Sequence, residues 1–210
     1  MRPENETEGR RRSFIEEARR RQIIAAAVEV ISEVGYANAS LARIAKRAGI
    51  SKGVISYHFD GKDELMAELV IQLYVSGGEF MTPLIGAAVG PHDQLMTYLA
   101  SNLQFIDANR IYVAVLTDVV LNLRNADGTL RFTSEGGEEP IIRPLIDILR
   151  AGQDTGVFGD FDPVVMAKVM RDTIDGAAGR AIREPDWDAG TYADEVCRLF
   201  DLATRKGKGE

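Results

Sequence analysis

The residues of this chain whose types and spacing could do chemistry fall between Ser40 and Lys62, in the run SLARIAKRAGISKGVISYHFDGK. In a short helical pattern starting near Ser51, Ile55 and Phe59 share one face. Gly53 and Tyr57 lie one turn apart on the opposite face, flanked by Lys52 and Ser56. An ammonium, hydroxyls and an open glycine backbone make a donor-rich surface with little aliphatic bulk. Such a surface suits base edges and phosphates in a DNA major groove better than it suits plain water. Arg43, pointing outward from the helix before it, could bridge to the phosphate backbone.

Two short elements must hold these groups in place. Leu41, Ile44, Ala45 and Ala48 recur at i, i+3, i+4 and i+7, the apolar face of a two-turn helix. Ser40 stands at its N-cap position, and Gly49 stands where a left-handed residue is needed to end it. Ser51 can cap the next helix at once, Ile50 can plug the joint, and Ala45 is small at the expected crossing. One such signal would fit any helical hairpin on a globular surface. All of them at consistent offsets predict a helix-turn-helix.

The stretch IAKRAGISKGVISYHFDGKDEL resembles the DNA-binding signature of the TetR family of bacterial transcriptional regulators. The resemblance rests on Ile44-Ala45, Ala48-Gly49-Ile50-Ser51, Tyr57-His58-Phe59, Lys62 and Leu65, and it is dense from about Arg19 to Leu73. The helix opens with Ser40 where the family commonly has Thr, and Ser caps equally well. By this resemblance Lys52, Gly53 and Ser56 read bases or face the groove, while Tyr57 and Lys62 touch phosphates. Ser51 and His58 border the same surface; His58 also lies beside the buried face, where a bond to a nearby carbonyl is the alternative. The resemblance further implies a dimer formed as a four-helix bundle by the last two long helices.

Composition narrows the remaining options. The 210 residues, 45% hydrophobic and 27% charged, are ordinary for a globular chain with a sizeable core. Cys197 is the one cysteine, which excludes a disulfide framework. The two histidines, His58 and His92, have no Cys or carboxylate at ligand spacing, so no metal is expected. No run approaches a membrane span, and a charged rather than apolar start argues against a secretory signal, so a cytoplasmic protein is expected. Residues 1–58 hold eleven Lys or Arg against seven Asp or Glu, a balance of +4, so the remainder carries −11 of the net −7. That asymmetry would draw one end toward phosphate and push the other away.

The pattern along the chain predicts an all-α fold of about nine helices. Residues 1–12 read as a disordered basic arm, in which Arg10-Arg11-Arg12 either follow DNA or merely solubilise. The Ser13-x-x-Glu16 capping box opens a helix buried through Ile24, Ala27, Val28, Ile31 and Val34 and closed by Gly35. A DNA-binding domain over residues 13–75 contains the three helices of the motif region and a fourth from Leu65 to Leu73. Ser76-Gly77-Gly78 and the stretch to Pro91 read as a hinge, after which residues 76–210 form a ligand-binding and dimerisation domain. Helices are expected there at about His92–Asp107, Asn109–Asn125, Ile141–Asp154, Pro163 onward and Ala189–Thr204, with Pro144 kinking or restarting the third. The Gly176-Ala177-Ala178-Gly179 run and the stripe of Tyr192, Val196, Leu199 and Phe200 offer a close-packing dimer face, or else pack within one subunit.

No phosphate loop, nucleophile elbow or metal-ligand pair points to an enzyme, and no cofactor is expected. Asp172 and Asp175 each follow a basic residue, Lys168 and Arg171, by one helical turn, which reads as salt bridging. Tyr98, Asn102, Phe105, Tyr112, Met166 and Met170 could wall a site for a small molecule, or fill the core. Asp118, on an apolar face, needs a partner: Arg143, Arg171 or a cationic ligand. The expected function is a dimeric repressor on a palindromic operator of double-stranded DNA. An aromatic or amphipathic effector, neutral or cationic, would release it. The alternatives are a ligand-independent regulator and a protein-interaction module.

Overall fold

The computed structural model describes residues 3–132 and 141–207, with side chains from Ile15 onward. Among the described residues the elements are helices: α1 (Pro3–Asn38), α2 (Leu41–Ala48), α3 (Lys52–His58), α4 (Lys62–Ala87), α5 (Gly90–Ala108), α6 (Arg110–Asn122), α7 (Arg143–Asp154), α8 (Pro163–Arg183) and α9 (Ala189–Thr204). Two differences from the sequence reading concern helix ends. Helix α1 begins at Pro3, so the arm expected to be disordered over residues 1–12 is helical from there on. Proline at the first helical position and glutamates ahead of arginines favour that outcome. Helix α4 runs unbroken through Ser76-Gly77-Gly78 and Pro83, where a hinge was expected. Gly77 is buried where α4 meets Phe105 of α5, and a Cβ there would lie 3.6 Å from Phe105 and from Met81, an ordinary contact, so packing holds the helix through this glycine. Pro144 restarts the chain as α7, at its first turn. The glycine-rich loop leading to Pro140 lies largely outside the described residues.

The chain packs as two compact units, the first Met1–Gln72 with Val115–Phe132, the second Leu73–Ala114 with Thr133–Glu210. A single cut after residue 75 therefore misses part of the first unit. Its core joins Ile23, Ala27, Ile31, Ile44, Ile55, Phe59, Leu65 and Met66 to Val115 and Val119 of α6 and to Leu123 just past its end. Those three residues recur at i, i+4 and i+8, one stripe that needs an apolar neighbour. The second unit has its own core, built from Leu95, Tyr98, Leu99, Leu103, Leu145, Leu149, Met170, Ile174, Val196 and Phe200 among others.

Candidate nucleic-acid interface and ligand site

Helix α2 forms as its sequence requires. The Ser40 hydroxyl accepts from the Arg43 N–H at 3.3 Å, and Gly49 takes the left-handed conformation at φ 68°. The Ile50 N–H then reaches back to the Ala45 carbonyl at 3.0 Å, closing the tight turn into α3. Ser51 precedes α3 in extended conformation, but its hydroxyl makes no cap bond; its carbonyl accepts from the Val54 N–H at 3.1 Å. Ile55 and Phe59 are buried beneath α3, as their shared face requires. Ser51, Lys52, Gly53, Ser56 and Tyr57 are exposed on the other side, Tyr57 at 74%. The Tyr57 hydroxyl donates to Glu16 at a long 3.5 Å. The His58 ring is half-buried and meets Tyr57 edge to face at 5.0 Å. Arg43 is exposed, edging an open groove with Lys46, Arg47 and Glu33.

Three side chains that sequence reasoning missed, Arg20 and Gln22 of α1 and Arg47 of α2, hold this surface to α1. Arg20 donates from Nη1 to the His58 carbonyl at the end of α3, its guanidinium lies 4.3 Å over the Phe59 ring, and its Nη2 pairs with Glu68 at 3.3 Å. A cation there satisfies an orphan carbonyl at the negative end of the reading helix. Gln22 does the same for α2, donating from Nε2 to the Ala48 carbonyl at 2.9 Å. Arg47 binds Glu29 at 2.9 Å and Glu33 at 2.5 Å, which fixes α2 to α1. Nothing in the spacing of Arg20 and Gln22 marks these roles, because their partners are backbone carbonyls distant in sequence.

Lys62 and Asp118 are placed differently from expectation. The Lys62 ammonium donates to the Tyr36 carbonyl at 2.6 Å and lies 4.2 Å over the Tyr36 ring. Burial there pushes its pKa below the ordinary lysine value. It thus ties the start of α4 to the end of α1, in place of the outward phosphate contact that the resemblance implied. The Asp118 carboxylate accepts the Tyr36 N–H at 2.7 Å and the Asn122 side-chain N–H at 2.9 Å. The two peptide groups flanking Tyr36 are therefore each held, one by its N–H and the next by its carbonyl. Gly35, at φ 76°, turns the chain so that both polar groups of Tyr36 are presented. Neither arginine expected beside Asp118 is its partner: Arg143 pairs with Asp147 at 3.7 Å and Arg171 pairs with Asp175. Asp118 belongs to the first unit and leaves the set of ligand-site candidates.

The other candidates lie in the second unit, and the structure brings only some of them together. Tyr98 and Asn102 are buried, with the Asn102 amide donating to the Tyr98 carbonyl at 2.8 Å. Phe105 stands a turn further along α5, its ring 5.8 Å from that of Phe80. Met170 is fully buried in the core, and Met166 packs partly buried against it. Tyr112 is turned outward, 43% exposed. Burial raises the Tyr98 phenol above its usual pKa, leaving it a neutral donor. Asp175 beside Arg171 outweighs the cost of burying that guanidinium and holds its pKa above the ordinary value. Among the described residues no group of histidine, cysteine and carboxylate could hold a metal. No helix of the described residues is long and apolar enough to cross a membrane.

A capped two-helix turn presenting an exposed polar face above its own core defines a helix-turn-helix of the kind that docks in a DNA groove. Residues 23–69 match the family of bacterial regulatory proteins, tetR family. The chain is 54% identical over 55 residues to the HTH-type transcriptional regulator BetI 1 of Chromohalobacter salexigens, a match covering 26% of this chain and 27% of that protein. The chain thus spans about a quarter of the length of that curated relative. Likeness over the whole chain is structural. The fatty acid degradation regulator FadR of Bacillus halodurans superposes with a TM-score of 0.71 at 23% identity, covering 88% of this chain and 98% of that one. The transcriptional regulator FadR of Bacillus subtilis, solved with stearoyl-CoA, gives 0.69 at 24% identity, covering 85% and 95%. These two likenesses concern the fold.

Proposed function

We propose that this chain is a homodimeric transcriptional repressor that leaves a palindromic operator when a small amphipathic molecule binds its second unit. The observation that carries the DNA reading is the outward face of α3, where Lys52, Gly53, Ser56 and Tyr57 are exposed over buried Ile55 and Phe59. Ser51, His58 and Arg43 border that face, and Lys62 and Arg20 hold it from behind. A dimer is supported by apolar groups left outward on the last two helices: Val165, Val169, Leu199 and Leu202 are 56%, 48%, 57% and 53% exposed. Val196 and Phe200 of the expected dimer stripe pack inside the subunit instead, as do Ala177 and Ala178. The effector site is supported by the polar pair Tyr98–Asn102 among apolar neighbours on α5, next to Phe105, Met166 and Met170, with Tyr112 beyond them. That FadR of Bacillus subtilis was solved with stearoyl-CoA supports the idea that this fold holds amphipathic ligands. A regulator of this kind works where the DNA is, in the cytoplasm.

Selection of bound DNA from a random pool at a stated salt concentration tests the reading. The expected product is an inverted repeat whose half-sites lie about one helical turn apart, ~34–36 Å or slightly more. A selected pool with no enriched sequence would overturn it.

A further inference from the structure

Arg171 carries the charge that matters for ligand chemistry in the second unit. Its side chain is 23% exposed, on the helix α8 that packs beside α5. The Nη1 group donates to Asn102 Oδ1 at a long 3.4 Å. The Asn102 amide is itself oriented by its 2.8 Å bond to the Tyr98 carbonyl, so this asparagine aims its oxygen at the guanidinium. The Tyr98 phenol lies close enough to Arg171 for the two groups to influence each other, and Tyr74 of α4 also faces it. Asp175 is the counter-charge, yet its carboxylate is 60% exposed. Both Nε and Nη2 of Arg171 converge on one of its oxygens, Oδ1.

Asp175 occupies the Nε–Nη2 edge of the guanidinium with a single oxygen. A carboxylate paired side-on would use two oxygens against two parallel N–H groups, the arrangement in which arginine binds carboxylates most tightly. Asp175 uses one oxygen, and the bond to Asn102 is too long to be strong. Apolar surface adjoins this centre: Phe105, one turn from Asn102, rests against Phe80 and lies 3.6 Å from where a Cβ on Gly77 would stand. With Asp118 committed to Tyr36 in the first unit, the local guanidinium favours an anion here against the −11 balance of residues 59–210.

We propose that Arg171 is the anchor for the carboxylate of a small amphipathic acid, whose apolar body lies along Phe105 and Phe80, with the Tyr98 hydroxyl as second donor. Asn102 is a positioning residue that holds the guanidinium toward the acid. This inference rests on the reading that the second unit binds an effector, and it departs from the neutral or cationic effector expected from the sequence.

The experiment is calorimetric titration of the full-length protein with decanoate, 2-naphthoate and decyltrimethylammonium, in wild type and in Arg171→Gln, Arg171→Lys and Asp175→Asn variants. At least one carboxylate should bind, Arg171→Gln should weaken it roughly tenfold or more, and Arg171→Lys should fall between. Asp175→Asn should tighten it severalfold by removing the competing carboxylate, a change of sign that a merely structural ion pair would not give. That variant also decides the matter if Arg171→Gln fails to fold. Failure of both carboxylates to bind, unchanged affinity in Arg171→Gln, or tighter binding of decyltrimethylammonium would each overturn the inference. Arg171-dependent binding without release of the selected DNA would uphold the anion site and remove its regulatory role. Release by decyltrimethylammonium alone would do the reverse.

Discussion

Lys52, Ser56 and Tyr57 stand on one exposed side of α3, the face proposed to meet DNA. Lys52 at the first position of the helix can reach a base edge. Lys52→Ala should lose about 1–3 kcal/mol and relax preference at one operator position, measured by binding to single-base operator variants. Uniform weakening across all sequences would instead make Lys52 a phosphate contact. Asp118 supports a second prediction at this scale. Asp118→Ala leaves the Tyr36 N–H without its 2.7 Å acceptor and should cost about 1–3 kcal/mol in urea unfolding, while Asp118→Asn, which keeps an acceptor, should cost less. Equal losses would mean that the charge, not the hydrogen bond, is what counts. Asp118 was legible in the sequence as a carboxylate in need of a partner. Its partner was not legible, because a backbone N–H has no residue type and lies eighty-two residues away.

Short elements with strong caps could be read from residue spacing, and long ones with glycine could not. Ser40, Gly49 and the four-residue apolar pattern between them define α2 locally, with no help from distant packing. In α4 the glycines at 77 and 78 read as a break because intrinsic propensity disfavours them in helices. Packing decides otherwise, since Gly77 is buried against Phe105. A Cβ at 3.6 Å from Phe105 is ordinary contact, and one on Gly78 meets nothing. Gly77→Ala and Gly78→Ala should therefore each stabilise the protein by up to about 1 kcal/mol, seen as a raised Tm. A lowered Tm for Gly78→Ala would mean that α4 is not helical there. A different kind of link joins α5 to α9, where His92 lies 3.0 Å from both Asp93 and Asp201, with Arg205 also on Asp201. The Asp93 carboxylate, aided by Asp201, raises the His92 pKa against a smaller opposing effect of burial. The folded state then holds the proton more tightly than the unfolded one. The resulting stability is fully present below the unfolded value of about 6.5 and is lost as pH rises through the raised folded value. With the side chain 46% exposed, solvent screening keeps the gain to about 0–1 kcal/mol. The Tm difference between wild type and His92→Gln should be largest at acid pH and shrink above neutrality; a pH-independent difference would show that the pairing is not ionic.

At the scale of the whole molecule, the +4 balance of residues 1–58 and the −11 of the rest would draw DNA toward one end and repel it from the other. In the proposed reading a helix of seven residues contacts too few bases to be selective in a genome, so a second copy would be needed, and two-fold pairing would match a palindrome. The sequence reading put the pairing face on the last two helices; of its stripe, Val196 and Phe200 pack into the subunit core while Leu199 stays outward. Tyr192, Val196 and Phe200 follow helical spacing, yet spacing does not say which stripe meets the subunit core and which meets a partner. Val196 and Phe200 are buried, while Val165, Val169, Leu199 and Leu202 point outward. Val169→Glu and Leu199→Glu would each put like charges near the two-fold axis and bury them on pairing, at a cost the contact cannot offset. Either variant should sediment as a monomer at micromolar concentration and keep its melting behaviour as a folded chain. Each should bind a single half-site as wild type does but lose affinity for the full inverted repeat by at least about tenfold, the gain that linking two half-site contacts supplies. A variant that stays dimeric, or a monomer that binds the full repeat undiminished, would place the partner surface elsewhere on the molecule.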